Sequence, residues 1–426
     1  MKRDTRWALV ALAPLLWGAV DAPVERPPAP LPLAWCLERA ERANPEIAAD
    51  AAAADASYQR ITPAGALEDP RVSYQASNVP VGDFNFTSTP LSGHQLVLAQ
   101  KLPFPGLLGN RKKAAEAGAA AASFLLGDRR LRVAAAVERR WAELGFAQRG
   151  LEITDQNLDL LRQLTRIAET KYSVGTGLQQ DVLRAQVQIT RLLEERLERE
   201  ASTRKAEARL AAILDLPPEV ALPRTEELRD ATPIPALYAL LDALEARNPL
   251  LQALQAQVEQ AERRRRVAEL EGYPDFDVGF GYRIRERVAG DPVDGDDFLS
   301  AAVKIRLPLH RSKWRARVAE RGALLRRAKA NHRAARAELR DAVRASLADL
   351  QRAHAAVELL EAGLVPQTRQ SLEASRAGYE VDKVDFLSLV DSQVSLLNAQ
   401  LALVRAEADR RAAYATLEAA VGEALR

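Results

Sequence analysis

The chain has 426 residues, of which 60 are Lys or Arg and 58 are Asp or Glu, so its net charge of +2 gives no global pull toward nucleic acid or an anionic surface. One cysteine excludes a disulfide scaffold, and four scattered histidines, Cys36 and Met1 leave little for a soft-metal site. Ala, Leu, Arg and Glu dominate, with 28% charged and only 5% aromatic residues, a composition of long helices rather than a sandwich or doubly wound sheet.

From the N-terminus, Lys2, Arg3 and Arg6 lead into the apolar run Trp7 to Val20, which ends among Gly18, Ala19 and Ala22. This is the pattern of an export signal over 1–22, followed by a Pro-rich linker over 23–32. At 14 residues, interrupted by Pro14, the run is too short to cross roughly 30 Å of hydrocarbon, and no other stretch reaches the roughly 20 apolar residues of a spanning helix. Cys36 is a poor lipid-attachment site, because Trp35 stands before it and it lies 16 residues beyond the run. Leu33, Leu37, Ala40 and Ile47 place it inside an amphipathic helix instead.

Beyond that point the chain repeats itself at about 205 residues. Asn44-Pro45 answers Asn248-Pro249, and Asp69-Pro70 answers Tyr273-Pro274, each at an offset of 204. Leu102-Pro103 answers Leu307-Pro308 at 205, and Tyr172 with Gln186-Val187 answers Tyr379 with Gln393-Val394 at 207. The first repeat is expected over 33–216, with strands near 70–104 and a helical hairpin over about 108–215 whose tip lies at 172–181. A Pro-rich connector over 217–235 leads to the second repeat, 236–426, with strands at about 274–309, a hairpin at 311–424 and a tip at 379–391.

The strand segments alternate. Phe276, Val278, Phe280, Tyr282 and Ile284 interleave with Asp277, Gly279, Gly281, Arg283 and Arg285; Leu299, Ala301, Val303 and Ile305 interleave with Ser300, Ala302, Lys304 and Arg306. The first half offers Val72, Tyr74 and Ala76, then Leu96 and Leu98, less cleanly. Strands of roughly 9 to 11 residues with aromatic ends are the signature of a membrane barrel, and a soluble half-buried sheet would alternate too. Four strands cannot close a barrel, and open edges are not tolerated in lipid, so a membrane reading requires several chains. Phe276, Val278, Phe280, Tyr282, Ile284, Leu299, Val303 and Ile305 are then the lipid-facing set, with the loops Ser77 to Ser92 and Glu286 to Asp297 outside the membrane.

No Pro interrupts the chain between Pro105 and Pro217, and Pro366 stands alone after Pro308, so each half ends in helices of about 60 residues, or about 90 Å. Leu387, Val390, Val394, Leu397, Leu401, Val404 and Ala408 make a heptad seam; Leu389, Leu396 and Leu403 make a weaker one about 100° away. Leu158, Leu161, Thr165, Ala168 and Tyr172 form a more polar seam in the first half. Two seams need two neighbours where a plain hairpin needs one, which favours a stave in a closed ring of helices, the alternative being a buried bundle helix.

At the first turn, Gly175 and Gly177 permit positive φ, and Asp181 sits near the start of the next helix, where the dipole favours a carboxylate. The run Tyr172-Ser173-Val174-Gly175-Thr176-Gly177 into Asp181-Val182-Leu183-Arg184-Ala185-Gln186, with Tyr379-Glu380-Val381 into Leu389-Val390-Asp391-Ser392-Gln393, resembles the hairpin tips of the TolC family of outer-membrane efflux ducts. The resemblance covers nearly the whole mature chain, and Gln100-Lys101-Leu102-Pro103-Phe104-Pro105-Gly106 is similar to the family's heavy-metal branch. It implies a mainly helical α-barrel of long coiled-coil hairpins, with four strands per chain pooled by a homotrimer into one twelve-stranded barrel in the outer membrane. It also implies a periplasmic adaptor (membrane fusion) protein and an inner-membrane resistance-nodulation-division pump as partners, lipid around the barrel, and no nucleic acid, cofactor, metal site or catalysis. The expected function is the passive outer-membrane channel of a tripartite efflux pump, gated at the periplasmic tips, with heavy-metal cations or small toxic compounds as cargo.

On this reading three copies of Asp181 or Asp391 make a cation-attracting ring at a narrow mouth, the alternative for Asp181 being a plain helix-start carboxylate. Tyr172 and Tyr379 are either seam residues or hydroxyl donors to a closing network. The second tip departs from the family pattern: Asp382 and Lys383 replace a Gly and a small residue, and Ser388 stands where an acid can occur. The competing reading is an exported coiled-coil scaffold or adaptor that stays off the membrane, against which the strand pair in each half argues. An enzyme finds no support, since His94, His310, His332 and His354 are far apart and no nucleophile motif or phosphate loop is present.

Overall fold

Proline and asparagine punctuate the chain, and the helices between them run to great length. The computed structural model describes residues 26–82, 84–228, 233–293 and 295–425. The expected export signal, linker positions 23–25 and connector positions 229–232 lie outside the described residues.

Helices α1 (Leu33–Ala43) and α2 (Pro45–Gln59) are followed by the short α3 (Ile61–Gly65), then strands β1 (Arg71–Ser77) and β2 (Gly93–Leu102). Helix α4 (Leu107–Ser173) is 67 residues of unbroken helix, about 100 Å, and α5 (Gln179–Ile213) returns beside it. The second half repeats the plan with α6 (Leu237–Arg247), α7 (Pro249–Leu270), β3 (Asp275–Ile284), β4 (Phe298–Arg306), α8 (Arg311–Leu359), α9 (Val365–Glu380) and α10 (Phe386–Val421). A π turn, Leu360–Leu364, joins α8 to α9. Its physical cause is Pro366: a proline has no N–H to donate, and its ring crowds the carbonyl one turn back, so the ladder widens there instead of breaking.

The Asn-Pro pairs fasten each half. Asn44 caps α2 by accepting from the Glu46 and Ile47 N–H groups while its amide donates to the Ile213 carbonyl at the end of α5. Asn248 caps α7 through the Leu251 N–H, and its amide donates to the Ala420 and Val421 carbonyls at the end of α10. One side chain thus starts one helix and closes another, while Pro45 and Pro249 occupy the first helical position, where no N–H is required.

At every height the chain builds an open-edged layer of four members. The strands form one antiparallel sheet in the order β1-β2-β3-β4, so the halves join through the β2 to β3 pairing of Leu98 with Phe280 and Leu96 with Tyr282. Next to the sheet, α2 packs on α4, α4 on α7 and α7 on α8; at the far end α5 packs on α4, α4 on α10 and α10 on α9. The outer members of each layer come one from each half.

Three apolar clusters hold these layers. Leu31, Cys36, Val137, Trp141, Leu144 and Leu210 centre the first, where the Trp141 indole donates to the Leu31 carbonyl at 3.1 Å. Leu240, Leu244, Val343, Leu350 and Leu417 centre the second, and the third lies at the hairpin tips. Cys36 is fully buried, and burial with the nearby Glu226 carboxylate pushes its thiol up to about 12. Between α4 and α10 a polar layer interrupts the seam: Gln393 donates to Asn157 at 3.2 Å, and Asn157 to Gln400 at 3.1 Å. The two seams of α10 differ from expectation near the tip, where Leu387 is exposed and Leu389 and Leu396 are buried. The ranking inverts because α4 and α9 take the Leu389 side, leaving Leu387 toward the open flank.

Candidate functional site

Strand register sorts the sheet into two faces, since alternate side chains point to opposite sides. One face carries Val72, Tyr74, Leu96, Leu98, Phe276, Val278, Phe280, Tyr282, Ile284, Leu299, Val303 and Ile305 in cross-strand rows such as Val72, Leu98, Phe280 and Ala301. All eight residues expected to face lipid fall on it. Val72 is 73% exposed, Leu299 79% and Val303 63%, far more contiguous apolar surface than a soluble sheet leaves bare. The opposite face carries Ser73, Gln75, Gln95, Lys101, Asp277, Gly281, Arg283, Ser300, Lys304 and Arg306. Arg306 chelates Asp275 there, and Arg283 donates to Gln95 at 3.0 Å.

In the β3 to β4 loop Arg285 forms an almost fully buried ion pair with Asp291 and lies 4.5 Å from the Phe298 ring centroid; its backbone N–H donates to Asp297. At the other end of the sheet, where it meets the helices, Phe104 stacks on Tyr273 at 4.6 Å beside a cleft of about 440 Å³ bordered by Lys101, Arg306, Arg111 and Trp314.

The tips lie about 100 Å away along α4. In the first, Thr176 and Gly177 N–H groups both donate to the Lys171 carbonyl, closing the helix as Gly175 turns at φ +78. A Cβ on Gly177 would stand 2.8 Å from the Tyr172 nitrogen, so that position tolerates no side chain. The second tip makes the same turn with different residues: Lys383 and Val384 donate to Gly378, and Asp382 takes the left-handed position at φ +61. Aspartate tolerates that backbone better than most residues but less well than glycine.

The two tips are joined within the chain. Lys171 Nζ reaches Asp382 Oδ1 at 2.5 Å and stands 5.1 Å from the Tyr379 ring centroid. Tyr379 is buried against Phe386, with ring centroids 5.4 Å apart, among Leu164, Ala168, Ala185 and Leu372. Its hydroxyl faces Asp181, though without a well-formed hydrogen bond. Burial, and then the Asp181 and Asp382 carboxylates, push that hydroxyl up to about 12. Burial also raises the Asp181 pKa, with Asp385 adding to the rise and Arg184 opposing it. Asp385 itself is held low by the hydroxyl and backbone N–H of Ser388, whose helix it caps.

Of the expected tip residues, Asp181 and Tyr379 come together, Gly175 and Gly177 shape the turn, and Tyr172 remains 48% exposed. Asp391 is exposed on α10, in the second turn beyond the cap, and the carboxylate that faces Asp181 is Asp385. Lys171 and Asp385 are tip residues that sequence reasoning did not select, and Asp382 stood out only as a departure from the family's turn. The signal for Asp385 was present as a capping aspartate three residues before Ser388, ahead of an apolar run. The pairing of Lys171 with Asp382 had none, because the partners are 211 positions apart.

Residues 36–215 and 240–423 match the sequence profile of the outer membrane efflux protein family. No curated protein sequence matches the chain. Among solved structures, the outer membrane protein VceC of Vibrio cholerae superposes with a TM-score of 0.76 at 19% identity, over 92% of this chain and 97% of that one. CusC superposes at 0.78 and 15% identity over 92% of each chain. The open state of the Neisseria gonorrhoeae MtrE channel does so at 0.74 and 17%, covering 92% of this chain and 89% of that one.

Proposed function

The chain belongs to the outer membrane efflux protein family, and from that premise we propose that three copies close every open layer at once. The protein is an outer-membrane channel of a tripartite efflux pump that extends into the periplasm, and it is a passive conduit rather than an enzyme. The observation that carries the proposal is the four-membered layer with free outer edges. An apolar sheet with two open edges is not stable in lipid, and joining β4 of one copy to β1 of the next removes every edge at twelve strands. The same threefold operation places α8 beside the next copy's α2 near the membrane, and α9 beside its α5 at the tips.

The wide helical section then leads to a mouth built by the tips. The Lys171 to Asp382 bridge and the buried Tyr379 hold the two hairpins of one copy together, and copies of Asp181, Asp385 and Asp391 ring the mouth with negative charge. Opening requires the hairpins to separate, and the partners that drive it are a periplasmic adaptor and an inner-membrane pump of the resistance-nodulation-division type. The cargo class is small toxic solutes.

Single-channel recording in planar bilayers tests the gate. An ion pair with one exposed partner is worth about 0.2 to 1 kcal/mol, so Lys171→Met should raise the open fraction by up to about fivefold. Neutralising Asp181 together with Asp391 should lower cation selectivity. Channels indistinguishable from the parent in both respects would refute the tip assignment.

A further inference from the structure

The polar face of the sheet is not neutral. Arg71, Lys101, Arg283, Lys304 and Arg306 all lie on it, against Asp275 and Asp277, with Glu68 at the rim beside β1. Five cations against three carboxylates leave a surplus of +2 per chain. The register sets the surplus in two cross-strand rows, one of Lys101, Asp277 and Lys304 and one holding Arg283, while Arg306 is balanced by Asp275 and Arg71 by Glu68. The β3 to β4 loop beyond the strands is acidic, with Arg285 and Arg287 against Glu286, Asp291, Asp294, Asp296 and Asp297, and of these carboxylates Asp291 is neutralised by its pairing with Arg285. The cationic surplus belongs to the strand section alone.

We propose that the strand-built section of the duct is a cationic collar that concentrates anionic solutes and repels free cations. The proposal rests on barrel closure as set out above, which turns the polar face inward and brings three copies of the surplus, +6, around one lumen. Charge of one sign lining a passage with low-dielectric walls focuses its field on the solute inside it. The collar therefore works against the acidic mouth at the tips. A cargo cation crosses the two ends of the duct under opposite potentials, and the solute class that leaves most readily through the strands is an anion or a neutral molecule. A metal ion would pass more readily as a complex with anionic ligands than as the bare cation.

The local potential is measured by reaction of a single thiol with methanethiosulfonate reagents that are alike in size and opposite in charge. Cys36 is buried and does not compete. The full-length protein is reconstituted in vesicles carrying Ser300→Cys on the polar face or, separately, Leu299→Cys on the apolar one. The ratio of anionic to cationic reagent rates at Ser300→Cys, divided by the same ratio for a small free thiol, is expected to be at least about fivefold at low salt. It should fall toward one in about 1 M salt, where charge is screened within about 3 Å, and on adding Lys304→Gln and Arg283→Gln. A normalised ratio of one or below at Ser300→Cys, with Leu299→Cys protected by lipid, overturns the collar and leaves the barrel standing. Equal reactivity of the two thiols toward both reagents overturns the barrel, and the collar with it.

Discussion

Asp181 is the residue whose environment should make the tip sensitive to pH. Burial opposes its charge and Asp385 repels it, so its folded pKa lies above the ordinary value. For an acid shifted upward the sign is fixed: the folded tip loses stability as pH rises through the shifted pKa and regains it as pH falls. Acidifying from neutral pH toward the ordinary aspartate range of about 4 should therefore tighten the mouth and lower channel conductance, and Asp181→Asn should remove that dependence. Asp382 holds a left-handed backbone while anchoring Lys171, so Asp382→Gly trades backbone strain against a lost ion pair. Its effect on thermal stability should fall within about 1 kcal/mol of zero while the open fraction rises. Cys36, buried and with a thiol of high pKa, should resist maleimide at pH 8 until the protein is unfolded. At this scale sequence reading located Gly175, Gly177, Asp181 and Tyr379 by turn chemistry and repetition. It passed over Lys171 and Asp385, whose importance depends on which hairpins stand side by side.

Among the elements, the Asn-Pro starts of α2 and α7 carry more than the capping pattern suggests. Each asparagine also ties down the end of the helix that completes its half, α5 through Ile213 and α10 through Ala420 and Val421. Asn248→Ala leaves the Leu251 N–H and two carbonyls short of a partner, and should cost about 1 to 3 kcal/mol in thermal unfolding of the detergent-solubilised protein. Gly422→Ala should cost at least as much, because a Cβ there meets the Asn248 Cα at 2.7 Å on a backbone at φ +93. The strands were readable from their alternation, and so was the pairing within each half. The β2 to β3 junction was not, because it joins segments whose partners, such as Leu98 and Phe280, are far apart in the chain. The π turn before Pro366 was hidden for another reason: a proline in a long periodic stretch forecasts a break or a kink, and a single wide turn that absorbs it has no sequence pattern of its own. The seams of α10 were both legible; which one faces its own chain depends on the neighbours.

For the whole molecule, the twofold repeat is the feature that sequence revealed most fully, and the structure gives it a physical purpose. Two similar halves, joined side by side, make a layer whose left edge always comes from the first half and whose right edge comes from the second. Such a layer cannot close on itself with four strands, and it can close heterologously with copies of itself. The exposed apolar face and the cationic polar face then become the outside and the inside of one cylinder. Native mass spectrometry of the protein extracted from outer membranes in mild detergent tests this most directly. The account predicts a complex of three chains that resists dissociation until heated; a single chain, or a complex of any other number, would contradict it.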